Sequence, residues 1–221
     1  MTEGDQVSEW AATKASAKGF LICLTVLSLV GAAAWFALTT GLERLPSKIC
    51  DGAVERDVVI RVLPRTRTAE EGANQANMGE DLMFTCHVNT SADSILSGMA
   101  RVQEASLQQW LNHYGEGADS RGNAVRVSVD GIETLAVLDS HSGSSSVYIS
   151  CVPRGVQAED ATEPYAIVAE AGVIGKARVS GAALRQAVTD FAYQITKHTY
   201  ELADCQAPRT LPHDLPRYEE D

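Results

Sequence analysis

What this chain does without narrows its chemistry. Its five cysteines include no C-x-x-C or similarly close pair, the spacing that tetrahedral zinc sites draw on, so no metal site is expected. No G-x-S-x-G elbow occurs, which removes the usual sequence mark of an α/β-type serine hydrolase. Lysine is scarce, and the 18 basic residues fall short of the 29 acidic ones by a formal charge of -11. So acidic a chain lacks the long-range field that gathers nucleic acid, and no nucleic-acid partner is expected. Abundant Ala, Val, Gly and Arg beside few Lys and Ile suggest a GC-rich bacterial genome, an association rather than a physical argument.

Charge is missing altogether from Phe20 to Leu38, which reads FLICLTVLSLVGAAAWFAL. As a helix rising 1.5 Å per residue, such a run is long enough for the roughly 30 Å hydrocarbon layer. Two readings compete. Small residues at Ala32, Ala33 and Ala34 fit a cleavable signal peptide, yet Trp35, Phe36, Ala37 and Leu38 prolong the run past the usual h-region of about 7 to 15 residues. The expectation is an uncleaved anchor over residues 20–40, with the lipid bilayer as its partner; either outcome exports the rest of the chain. Cys23 lies too deep in the run, and Cys50 follows the wrong residues, for lipid attachment.

Basic residues do not set the orientation, because Lys14 and Lys18 on one side are matched by Arg44 and Lys48 on the other. Cysteines do. Cys50, Cys86, Cys151 and Cys205 all follow the run, and an even, well-spread set in one modest domain points to disulfides in an oxidising compartment. The expected plan is a disordered cytoplasmic tail (1–19), the anchor (20–40), a linker (41–48), an extracytoplasmic domain with two disulfides (49–205) and a disordered tail (206–221) rich in proline and acid. About 160 residues after the anchor make one ordinary domain.

Within that domain the periodicity predicts an α+β fold. Asp51 caps a first helix with Val54, Val58 and Val62 on one face, stopped by Pro64. Residues 65–81 read as a mobile polar loop. Phe84, Cys86 and Val88, then Leu96, Gly98, Ala100 and Val102, alternate as a hairpin. Ser106 and Gln109 form a capping box for a short helix ending near Gly115, with Leu107, Trp110, Leu111 and Tyr114 as its buried stripe. Val125, Val127 and Val129 run to an Asp130-Gly131 turn, Leu135 and Val137 return, and Val147, Ile149 and Cys151 follow. After a strand over 165–171, Ser180 caps a long helix striped by Leu184, Val188, Phe191, Ile195 and Leu202. The whole is a mainly antiparallel sheet of about six strands with an N-terminal, a short middle and a long C-terminal helix, preceded by one transmembrane helix.

Candidate reactive groups are few. His87 falls on the polar side of its strand and reads as a surface histidine. Trp110 reads as core. Asp139, Ser140, His141 and Ser142 are adjacent in sequence, the wrong arrangement for a triad assembled from separated positions, and read as a hairpin loop. Asn89-Thr90-Ser91 matches a glycosylation sequon that a bacterial host would ignore. No catalytic, cofactor-binding or metal residue is assigned, and no cofactor is expected. Four cysteines allow three pairings. A helix returning antiparallel to a neighbouring strand puts Cys205 near Cys151 and, by the same logic, Cys50 near Cys86, against a nested alternative.

The stretches FTCHV, ASLQQWL and VYISC, and a final helix ending in cysteine, resemble a group of uncharacterised membrane-anchored exported proteins of actinobacteria. The resemblance covers the anchor and most of the domain, implies location and build, and carries no activity. Three functions compete. One is a non-catalytic module binding an envelope protein or cell-wall component. Another is an envelope hydrolase using some of the abundant carboxylates. The third is a transmembrane sensor acting through its N-terminal tail.

Overall fold

Helix is costly to start and cheap to extend, so a long run of helix-forming residues carries its conformation into good formers beside it. Helix α1 (Gly4–Thr39) accordingly takes in the Ala-rich residues 4–19 as well as the apolar run; the tail expected to be disordered is helical from Gly4. The computed structural model describes residues 4–119, 124–138, 143–157 and 163–218, with 4–19, 37, 116–119 and 138 described by backbone alone. The described side chains of α1 are exposed from Phe20 to Phe36 and at Leu38, and half-buried at Thr39. No helix among the described residues is long and apolar enough to cross a membrane.

Beyond α1 the expected linker is packed: Leu42 and Leu45 are buried in the main core. Strands β1 (Lys48–Ile49) and β2 (Val54–Glu55) then form a small hairpin. The helix expected from Asp51 starts later, as α2 (Arg56–Val62). Asp51 and Gly52 instead make the hairpin turn with positive φ, 57° and 87°, the Asp-Gly chemistry of a tight turn. Pro64 ends the helix as expected, because the residue before a proline is driven to extended φ/ψ, here Leu63.

The remaining elements are β3 (Ala69–Ala76), β4 (Met83–Thr90), β5 (Ile95–Glu104), α3 (Leu107–Asp119), β6 (Ala124–Val129), β7 (Ile132–Leu138), β8 (Gly143–Ser150), β9 (Tyr165–Ile174) and α4 (Gly181–Ala203). Seven of the strands make one antiparallel sheet in the order β3-β4-β5-β9-β8-β7-β6, one more than expected. The extra strand is β3, which lies where a mobile loop was predicted. Its residues AEEGANQA carry no apolar alternation because it is an edge strand, open along one side.

One face of the sheet is covered by α4, which crosses β8, β9 and β5 and buries Leu184, Val188, Phe191 and Ile195. Leu202 is only partly buried, and Tyr200 and Ala203 close the last turn in its place. Disulfides Cys50–Cys86 and Cys151–Cys205, spanning 36 and 54 residues, tie the β1–β2 hairpin to β4 and the end of α4 to the end of β8. These are the two pairs that the topology favoured. Loops of that length give each bridge about 4 kcal/mol in the chain-entropy account. Two such bridges suit an exported domain.

The C-terminal tail also departs from expectation. Leu215 and Tyr218 are buried, Tyr193 donates to the Pro212 carbonyl at 2.7 Å, and the Tyr218 amide donates to Gln186 at 2.9 Å. Three prolines stop the tail from forming helix, but the isolated Leu215 and Tyr218 find apolar and hydroxyl partners along α4.

Candidate binding cleft

The opposite face of the sheet is only half covered. Helix α3 lies over β6, β7 and β8, leaving β3, β4 and β5 open. Its start is fixed by the expected capping box: the Gln109 amide donates to Ser106 Oγ at 3.3 Å and the Ser106 amide to Gln109 Oε1 at 3.2 Å. The helix runs past Gly115 to Asp119, longer than expected, since one glycine weakens a helix without ending it. Trp110 anchors it, buried in a second apolar cluster with Leu135, Tyr148 and Val168. Trp110 Nε1 donates to Ser146 Oγ at 2.8 Å, and Ser146 Oγ donates in turn to the Ala169 carbonyl at 3.0 Å.

Where the cover of α3 ends, a cleft of about 700 Å³ opens against the sheet. Its floor consists of two cross-strand rows. The first runs Thr85, Met99, Glu170, Ser146 and Leu135, and the second His87, Ser97, Gly172, Ser144 and Val137. His113 and Tyr114 form the helical wall. Their rings meet edge to face with centroids 4.6 Å apart.

Glu170 is the polar centre of the floor. It accepts a short hydrogen bond from the Tyr114 hydroxyl, and Arg101 Nη2 stands 4.0 Å away. Burial, and then the neighbouring Glu170 carboxylate, push the Tyr114 phenol well above its ordinary pKa. Tyr148 is raised by burial, and its hydroxyl donates to the Ala105 carbonyl at 3.1 Å. Ser146 is not poised as a nucleophile, because it already accepts from an indole and donates to a carbonyl.

His87 is exposed, as the alternation required, and also forms a cleft wall. No sequence pattern announces that company: the cleft draws on five strands and a helix far apart in the chain. Trp110 is core, 2% exposed, and supports the cleft from behind. The four half-cystines are structural, while Cys23 is a free, exposed thiol on α1. Asp139, Ser140, His141 and Ser142 lie outside the described residues. Asn89 is exposed near the end of β4, but Thr90 Oγ1 is engaged with the Ser94 carbonyl. No cluster of three or more His, Cys, Asp or Glu suited to a metal ion occurs among the described residues. No family model, no curated protein and no solved structure matches this chain.

Proposed function

We propose that this is a single-pass, membrane-anchored extracytoplasmic protein that binds a cell-wall component non-catalytically in the cleft between α3 and the sheet. The cleft carries the reading. Its size falls in the range of small-ligand sites, about 300–1,000 Å³, and it joins apolar walls to a few convergent polar groups. Met99, Leu135 and Val137 offer an apolar face, His87, His113 and Tyr114 offer rings, and Glu170 with Arg101 offers both hydrogen-bonding senses. A wall saccharide has that mixed character.

Several observations support the anchor. Helix α1 holds seventeen consecutive described side chains without a charge, Phe20 to Phe36, the lower edge of the roughly 17–25 residues that span a bilayer, and Leu38 continues the apolar run. Thr25 within it is satisfied internally: its hydroxyl lies 2.7 Å from the Leu21 carbonyl and 2.9 Å from the Ile22 carbonyl and donates to them, as hydrocarbon demands. Two disulfides favour the exterior for the body. This is also the build of the actinobacterial group that the chain resembles. An envelope hydrolase needs a second carboxylate about 5–10 Å from the first, and the described lining of the cleft holds Glu170 alone.

The test is Gly172→Leu. A Cβ at Gly172 meets nothing closer than 3.5 Å, so the variant folds while its side chain fills the cleft floor. Full-length protein in nanodiscs is titrated with soluble wall fragments by calorimetry. Binding by the parent and its loss in Gly172→Leu, with an unchanged unfolding midpoint, is the expected result. Equal binding by both, or binding by neither, overturns the cleft as the site.

A further inference from the structure

From the geometry where α1 meets the body, we infer that this end of the body is a footing for anionic phospholipid headgroups, with Arg65, Arg67 and Lys176 as the contacts and Ile174 as an apolar wedge. The inference rests on the proposed anchor and adds a second, separate binding surface. Helix α1 ends at Thr39, and Thr40 already pairs with Thr66 as a β-bridge. The Gly41 amide donates to the Thr66 carbonyl at 2.8 Å. A Cβ on Gly41 would lie 2.7 Å from the Thr66 oxygen and the Arg67 carbonyl carbon, so helix and body join without slack. From Leu38 to Thr40 is about 3 Å of helix rise, whereas the headgroup layer is roughly 5–7 Å deep on each side. Thr66 and its flanking arginines therefore stand within that layer.

The neighbouring turns share this level. Thr66 Oγ1 lies 2.8 Å from Ser91 Oγ, the Ser91 amide donates to the Thr68 carbonyl at 3.1 Å, and the Lys176 amide donates to Ser94 Oγ at 3.1 Å. Arg65, Arg67 and Lys176 are exposed and join no ion pair among the described residues. Arg44 and Arg178 lie nearby in sequence, as do the carboxylates Glu43, Glu70 and Asp93. On a chain of net charge -11, this end reverses the local sign. Ile174 is 63% exposed, one of two large apolar residues outside α1 so exposed among the described residues. An apolar side chain next to cations at the level of the headgroups is the composition of an interfacial contact.

Amide exchange of the full chain tests this in nanodiscs of phosphatidylcholine alone and with 30% phosphatidylglycerol. Residues 65–68, 91–94 and 174–178 should exchange several-fold more slowly with the anionic lipid. That difference should vanish in 0.5 M salt and in an Arg65→Ser, Arg67→Ser, Lys176→Ser variant, while β5 and β9 stay protected in both proteins. Equal exchange in the two disc types with α1 protected overturns the footing and leaves the anchor standing. An unprotected α1 and a chain released from both discs overturn the two together.

Discussion

Trp110 Nε1 reaches across the second apolar cluster to Ser146 Oγ at 2.8 Å, joining the helix that walls the cleft to the strand that floors it. Both partners are buried. Replacing Ser146 by Ala leaves the indole N–H without its partner in an apolar setting, which costs about 1–3 kcal/mol. Urea unfolding of Ser146→Ala should show that loss. The Trp110→Phe, Ser146→Ala double variant should lose less than the sum of its two singles, because the pair acts together. Strict additivity would mean that the hydrogen bond contributes nothing.

The C-terminal tail belongs to the fold. Ending the chain at Ala207 keeps Cys205 and its bridge but strips Leu215 and Tyr218 from α4. Burying two such side chains contributes about 1.5–3 kcal/mol each, so the truncated chain should unfold at a clearly lower urea concentration with both disulfides intact. An unchanged midpoint would show that the tail is only laid on the surface.

High pH should weaken the folded state through its tyrosines. The Tyr165 hydroxyl donates to Glu80 at 2.8 Å, and that carboxylate, followed by burial, pushes the phenol up to about 12 from 10.0. Tyr114, Tyr148, Tyr193 and Tyr218 are also raised, each chiefly by burial. Below pH 10 these phenols are protonated folded or unfolded, and their contribution is complete. Above it the unfolded chain ionises first, so stability falls as pH rises from 10 toward 12. Urea midpoints should hold up to about pH 9.5 and then decline, and Tyr165→Phe should decline less steeply. Phenolate absorbance at 295 nm from the folded protein near pH 10 at the level of free tyrosine would contradict the assignment.

The sheet was legible in the sequence wherever one strand face meets α4, since Val88, Leu96, Val147 and Ile149 alternate as half-buried strands must. Edge strand β3 was not: AEEGANQA has no apolar period, and its Gly72 makes sense only once His87 is seen lying across it, where a Cβ would come within 2.6 Å of His87 Cε1. The β1–β2 hairpin was hidden because Val54 and Val58 also satisfy a helical period, and the Asp51-Gly52 turn was read as a cap. Tail packing left no mark, as two apolar residues among prolines set no period. The cleft was legible only as separate exposed polar positions, because its rows bring together positions as far apart in the chain as Thr85 and Glu170, or His87 and Gly172.

Export of the body is the claim on which anchor, cleft and footing all depend, and the thiols of the protein in intact cells report it most directly. Cells are quenched in acid, denatured, and alkylated with a mass-tagged maleimide with and without prior reduction. One tag without reduction, on Cys23, and five after it is the predicted pattern, with Cys50–Cys86 and Cys151–Cys205 closed. Five tags without reduction would place the body in a reducing compartment and contradict the account.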